Sequence, residues 1–189
     1  MKPKKIVLIS FLAACVLTGC REKQPTNVII APKPVAEKPQ GPQRMEETNQ
    51  KATVAWLGKN YTIEVKRAPA DSLPKVKDES GKAYYDNLIR VKVTREDGSE
   101  FFNRVFSKRS FNDYLDDNSR QNGALLGIVF VEAQGDNLMF GASVGSPDAL
   151  SDEYIPMVLT LTRMGDVAIR KDTELDSARH DGSTDDEGV

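Results

Sequence analysis

The chain has 189 residues, 26 basic and 28 acidic side chains and a formal net charge of −2, which is the length of one domain or one domain plus tails. With 39% hydrophobic and 29% charged residues, one histidine and two cysteines, it excludes a multispan membrane protein and most histidine- or thiol-based sites. Without residues 1–19, which hold Lys2, Lys4 and Lys5 and no acid, 23 basic side chains face 28 acidic ones, so nucleic acid or an anionic membrane surface would repel the chain.

The first element is an export signal over 1–19. Three lysines precede Ile6 to Leu17, an uncharged and mostly apolar run of twelve residues. As a helix this run would rise about 18 Å, short of a bilayer core of about 30 Å, which fits a secretory signal and not a permanent span. It ends in Leu17-Thr18-Gly19-Cys20, which resembles the lipobox of bacterial lipoproteins. Small residues suit a narrow peptidase cleft, and the Cys20 thiol is the nucleophile for thioether attachment of a diacylglycerol. Cys15 then leaves with the signal, so the mature domain has no thiol and must fold on its apolar core without cross-links. Acyl chains at about 0.8 kcal/mol per buried methylene make the anchor on Cys20 effectively permanent. By analogy with enterobacterial lipoproteins, Arg21 in place of an aspartate leans toward the outer membrane.

Residues 20–51 read as the lipidated cysteine and a tether. Five of the ten prolines (Pro25, Pro32, Pro34, Pro39, Pro42) fall here, and Val28-Ile29-Ile30 is too little apolar surface to order the segment. The folded unit is expected over 52–176, followed by an acidic tail over 177–189 that contains His180.

Inside the unit the hydrophobic period is two. Tyr61, Ile63 and Val65 alternate with Thr62, Glu64 and Lys66; Ile89, Val91 and Val93 with Arg90, Lys92 and Thr94; Met157, Leu159 and Leu161 with Val158, Thr160 and Thr162. Turn residues join Thr53–Leu57 to Tyr61–Arg67 and Asn87–Arg95 to Glu100–Phe106. They also join Leu125–Gln134 to Asn137–Val144 and Met157–Arg163 to Asp166–Lys171. Four hairpins, eight strands and one helix over Ser107–Asp116 predict a mainly β fold, an antiparallel sandwich or partly closed barrel. Leu125 to Val131 is apolar on both faces, so that strand is expected in a sheet centre or under a cover, the helix being the candidate. Alternation should turn one of the adjacent pair Phe101-Phe102 outward, and the pair is expected under the helix.

A lone tail histidine cannot be held beside a nucleophile, and no phosphate-cradling or dinucleotide loop occurs, so the reading includes no cofactor and no metal. Carboxylates remain: Asp148, Asp152, Glu153, Asp172, Glu174 and Asp176 could serve glycan hydrolysis or calcium, or simply keep the surface solvated. Arg90, Lys92, Arg104, Lys108 and Arg109 read as a solvated basic face. Two long connections, Ala68–Lys82 and Gly145–Ile155, are where a site is expected, and the second is favoured. It joins stiffening Pro147 to the binding candidates Asp148, Asp152, Glu153 and Tyr154.

Tyr85-Asp86-Asn87-Leu88-Ile89-Arg90-Val91, Asp97-Gly98-Ser99, Val105-Phe106-Ser107-Lys108, Ser146-Pro147-Asp148, Glu153-Tyr154-Ile155-Pro156 and Lys171-Asp172-Thr173-Glu174-Leu175 together resemble a family of short Bacteroidetes-type lipoproteins built on a domain of unknown function. The resemblance covers most of 52–176 and implies a lipoprotein, with no catalytic or binding residue carried over. Arg21-Glu22-Lys23-Gln24 lacks the acid-rich run linked to surface display in that group, which leans toward attachment facing the periplasm. The expected role is a non-enzymatic envelope module, anchored in the membrane through Cys20, that binds an envelope protein or a glycan. A carboxylate-dependent glycan hydrolase and a lipocalin-like carrier of a small apolar ligand are the alternatives.

Overall fold

The computed structural model describes residues 41–173. Alternation decides the strands. In β1 (Thr48–Trp56) and β2 (Lys59–Pro69) the buried side chains are Trp56, Tyr61, Ile63 and Val65, while Thr62 and Lys66 face solvent. β5 (Asn87–Arg95) pairs antiparallel with β2 so that Ile63 lies opposite Val93 and Val65 opposite Val91, all four turned inward. β6 (Glu100–Phe106) closes this sheet in the order β1-β2-β5-β6. β7 (Ala124–Gln134), β8 (Asn137–Gly145), β9 (Tyr154–Thr162) and β10 (Val167–Lys171) form the second sheet, in the order β10-β9-β8-β7. There Leu138 opposes Leu161 and Phe140 opposes Leu159. The inward faces of the two sheets share one apolar core, which also holds Phe106, Phe111 and Leu125.

The fold is mainly β and sandwich-like, and no closed barrel forms among the described residues. All four expected hairpins are present. The connection Ala68–Lys82, expected as a loop, departs from that reading. It carries β3 (Lys75–Lys77), which pairs with β4 (Ala83–Tyr85) around a turn holding Gly81 at φ 82°. Val76 and Tyr84 on this small hairpin pack on Ala124 as a second apolar cluster. Gln43 bridges to Tyr84 and β1 begins at Thr48, so the folded region starts ahead of residue 52. The first turn also moves: it sits on Leu57 and Gly58, at φ 53° and 74°, the doubly left-handed turn that suits a two-residue hairpin.

Three further expectations change. The helix over Ser107–Asp116 is a 3-10 helix, Lys108–Tyr114, followed by a separate α1 (Asp117–Asn122). Phe111 and Leu115 plug the core beside Phe106, and the Tyr114 hydroxyl donates to Ile169 O at 2.5 Å, so this segment packs on the β6 and β10 side and leaves Val129 and Val131 of β7 exposed. β7 is an edge strand, with Val129 and Val131 46% and 63% exposed. Its pairing with β8 shifts at Leu125/Gly127 and at Phe130/Glu132, and these bulges re-phase the alternation that made the strand look apolar on both faces. The pair Phe101-Phe102 follows the same logic: a shift between Val93 and Thr94 lets both rings pack against the core, Phe101 edge-on to Trp56 and Tyr61.

Candidate functional site

The two long connections come together around one groove of about 890 Å3. One wall is the β3–β4 turn, with Lys77, Asp78, Glu79 and Gly81; another is α1 with the residues flanking it, Asp116, Asn118, Ser119, Asn122 and Gly123; the third is the β8–β9 connection, with Gly145, Ser146 and Asp152 to Ile155. Short polar chemistry shapes each wall. Asp78 Oδ1 accepts from Ser80 Oγ at 2.6 Å and from Lys82 N at 2.9 Å, and the Tyr84 hydroxyl donates to Oδ2 at 3.1 Å. Those bonds, Ser80 first, hold the Asp78 carboxyl below the usual carboxylate range. Asp116 is the N-cap of α1: Oδ1 accepts Ser119 N at 2.8 Å, and this backbone bond lowers its pKa too. Burial raises the Tyr84 phenol above its ordinary value, with Asp78 and Asp148 adding to the effect.

Gly145 makes the third wall possible. A Cβ there would fall 2.2 Å from Glu153 O and 2.6 Å from Tyr154 Cα, both backbone, so the strands approach where no side chain fits. Ser146 N donates to Glu153 O at 3.0 Å, and Leu150 N to Asp148 Oδ1 at 3.0 Å, which fixes the loop. Three of the four expected binding residues, Asp152, Glu153 and Tyr154, therefore line the groove, all of them exposed. Asp148 stands outside the lining, where it organises the loop and its charge helps raise the Tyr84 phenol. Cys20, Glu174 and Asp176 lie outside the described residues.

Sequence reasoning missed the contribution of Asp78, Glu79 and α1, because their convergence depends on the β3–β4 hairpin, whose strands are three residues each and carry no periodic signal. It also missed a buried polar cluster on the far side of α1. Asp86 Oδ1 accepts from Asn87 N at 2.8 Å and Leu125 N at 2.9 Å, and Asn87 Nδ2 donates to Leu125 O at 2.8 Å. Lys108, assigned from sequence to the solvated basic face, is buried and donates to Gly123 O at 2.6 Å. Burial pushes the Asp86 carboxyl up and the Lys108 ammonium down, so desolvation outweighs the attraction between them. Asn87 Oδ1, fully buried, is without a hydrogen-bond partner among the described residues.

The groove offers exposed carboxylates, hydroxyls, amides and one phenol: it can accept hydrogen bonds, pair with cations and present an aromatic ring. A general acid would need a carboxyl held protonated, whereas Asp78 and Asp116 are held the other way. Among the described residues no group of three or more His, Cys, Asp or Glu converges as a metal site would require. The interior between the sheets is filled by Phe106, Phe111, Phe140 and their neighbours, not by a carrier's cavity.

The family model that matches is that of Domain of unknown function (DUF4738), over residues 30–169, which takes in every wall of the groove. No curated protein matches the sequence.

Proposed function

The chain belongs to the DUF4738 family, and from that premise we propose that it is a lipid-anchored, non-enzymatic binding module of the cell envelope. Leu17-Thr18-Gly19-Cys20 supports the anchor, with diacylglycerol on Cys20; Arg21 supports the outer membrane, and Arg21-Glu22-Lys23-Gln24, without an acid-rich run, supports attachment facing the periplasm. The groove carries the binding part of the reading. Both long connections, separated by about half of the domain in sequence, wall one polar groove of about 890 Å3 lined by Asp152, Glu153 and Tyr154. Carboxylates and side-chain amides accept and share hydrogen bonds with sugar hydroxyls, and a phenol ring can lie on a sugar face, so the chemistry suits a hydroxyl-rich envelope glycan.

Two experiments test this. Cys20→Ala should move the protein from the membrane pellet to the soluble fraction; a variant that still pellets removes the anchor. Replacing Asp152, Glu153 and Tyr154 together with alanine should weaken calorimetrically measured binding of soluble envelope glycan fragments by about tenfold or more, with Tm essentially retained because all three side chains are exposed. Equal binding by the variant would remove the groove, and capture of an envelope protein in place of glycan would change the ligand class.

A further inference from the structure

On the other side of α1 a second cavity, of about 210 Å3, has the opposite charge. Its wall brings together Lys75 of β3, Lys108 and Arg109 at the start of the 3-10 helix, and Arg120 of α1, against the carboxylate of Asp86. These residues come from four separate stretches of chain, so their grouping is a product of the fold and not of a basic run in the sequence.

Two of the four cations are already spoken for. Lys108 is buried with its ammonium on Gly123 O, and it feels the charge of Asp86. Arg120 is held by a 3.1 Å bond from Nε to Asn112 O and a 2.9 Å ion pair with Asp117. Arg109 is not, and Lys75 is only partly engaged, by Tyr85 and by the Asp71 carboxylate it shares with Arg44. Arg109 makes no ion pair or side-chain hydrogen bond among the described residues. Lys75 has its ammonium 3.6 Å from the centroid of the Tyr85 ring and a long, 3.5 Å contact to Asp71 O. An aromatic face steadies a cation without neutralising it. With Asp86 set against Lys108, Asp117 against Arg120, and Asp71 shared between Arg44 and Lys75, the wall keeps an excess of positive charge around a small concave space, and Arg109 has no counter-charge among the described residues.

We propose that this cavity is a binding site for a phosphate group, held between the Arg109 guanidinium and the Lys75 ammonium, with Arg120 and Lys108 as the fixed flank. A planar guanidinium fork matches two oxygens of a phosphate, and a lysine ammonium adds a point charge. Arg109 has no counter-charge among the described residues and Lys75 shares Asp71 with Arg44, so an anion between them would offset the excess positive charge and turn their mutual repulsion into two attractions. The site is independent of the groove and of any ligand bound there.

Calorimetric titration of the purified chain with inorganic phosphate, at constant ionic strength set by chloride, tests the site. Saturable binding is expected, weakened by about tenfold or more in Lys75→Gln/Arg109→Gln and left within about threefold in Lys66→Gln, which alters an exposed cation on the outer face of β2. Should the double variant fail to fold, Arg109→Gln alone carries the test, because that side chain holds no other residue in place. No saturable binding over the chloride background, or equal binding in the variants, overturns the site. Glycerol phosphate as a competing probe then identifies the source: displacement of phosphate points to a group carried on a larger molecule, and its failure to compete points to the free ion.

Discussion

Asp86 Oδ1 accepts the backbone N–H of Leu125 at 2.9 Å, and the neighbouring Asn87 amide returns a bond of 2.8 Å to the carbonyl of the same residue. Two side chains at the start of β5 thus do for Leu125 what a strand backbone would do, and they stitch one sheet to the other at the first turn of β7. The stitch requires a carboxylate in a buried place, with Lys108 across from it.

Asp86→Ala should therefore destabilise the domain by about 1–3 kcal/mol, since it leaves the Leu125 N–H buried and unpaired. Asp86→Asn, which can keep an acceptor oxygen, should cost less. The pH dependence distinguishes charge from hydrogen bonding. Burial raises the Asp86 pKa in the folded state, so the folded protein holds that proton more tightly than the unfolded chain. Its contribution is then greatest below the ordinary carboxylate pKa and is lost as pH rises through the raised value. Denaturant titrations at several pH values should show wild type losing ground to Asp86→Asn as pH rises through that window. A constant difference between the two would refute a titrating Asp86.

Gly145→Ala tests the close approach that builds the groove. The added methyl would meet Glu153 O and Tyr154 Cα at 2.2 and 2.6 Å, and backbone cannot swing aside as a side chain can. A loss of about 2–3 kcal/mol is expected, with a Tm lower by roughly 10 °C. Gly141→Ala in the same strand is the control, because its nearest neighbour is the tip of Val131 at 3.8 Å. Its Tm should stay within a few degrees of wild type, as measured by thermal melts of both variants.

The four hairpins and the inward residues of β2, β5 and β9 were legible because each strand buries one face and its turn carries glycine or aspartate at the needed place. β7 was not. Its bulges put Leu126 beside the small second core and turn Val131 to solvent, and a bulge leaves no mark in an apolar run. The site was half legible. Asp152, Glu153 and Tyr154 could be named from loop length and composition, whereas the walls opposite them depend on contacts across about thirty to seventy-five positions of chain. Lys108 looked like any surface lysine of a basic stretch; only the packing of the 3-10 helix over Gly123 buries it.

The acids that shape the groove should make it acid-sensitive. Hydrogen bonds hold the pKa values of Asp78 and Asp116 below the ordinary carboxylate range. Each lowered group gives stability that is full above the unfolded pKa and is lost as pH falls through the folded one. Asp116→Ala, which removes the N-cap of α1, should cost about 1 kcal/mol at neutral pH. The gap to wild type should begin to narrow as pH falls below the ordinary carboxylate value of about 4 and close as the capping carboxylate takes up its proton at its lowered pKa. Guanidinium denaturation at pH 7 and pH 3 gives the comparison, and an unchanged gap would mean the cap acts without its charge.

Leu57 offers a change in the opposite direction. It is the one non-glycine residue at positive φ among the described residues, at 53°, and it occupies the first position of the two-residue turn between β1 and β2. A leucine there holds its Cβ close to the following carbonyl, while asparagine tolerates this backbone and is favoured in such turns before glycine. Leu57 is also 44% exposed, so shortening it sacrifices only part of a side chain's burial. Leu57→Asn should stabilise the domain by about 0.5–1 kcal/mol. Trp56 supplies the readout: it is buried against Tyr61 and Phe101, and its indole N–H donates to Gly135 O at 3.1 Å, bridging the first turn of one sheet to that of the other. Tryptophan emission in urea should show a higher midpoint for the variant at unchanged slope, because the turn relaxes without altering the area exposed on unfolding. A lower midpoint would mean that Leu57 contributes more by packing than its backbone conformation costs.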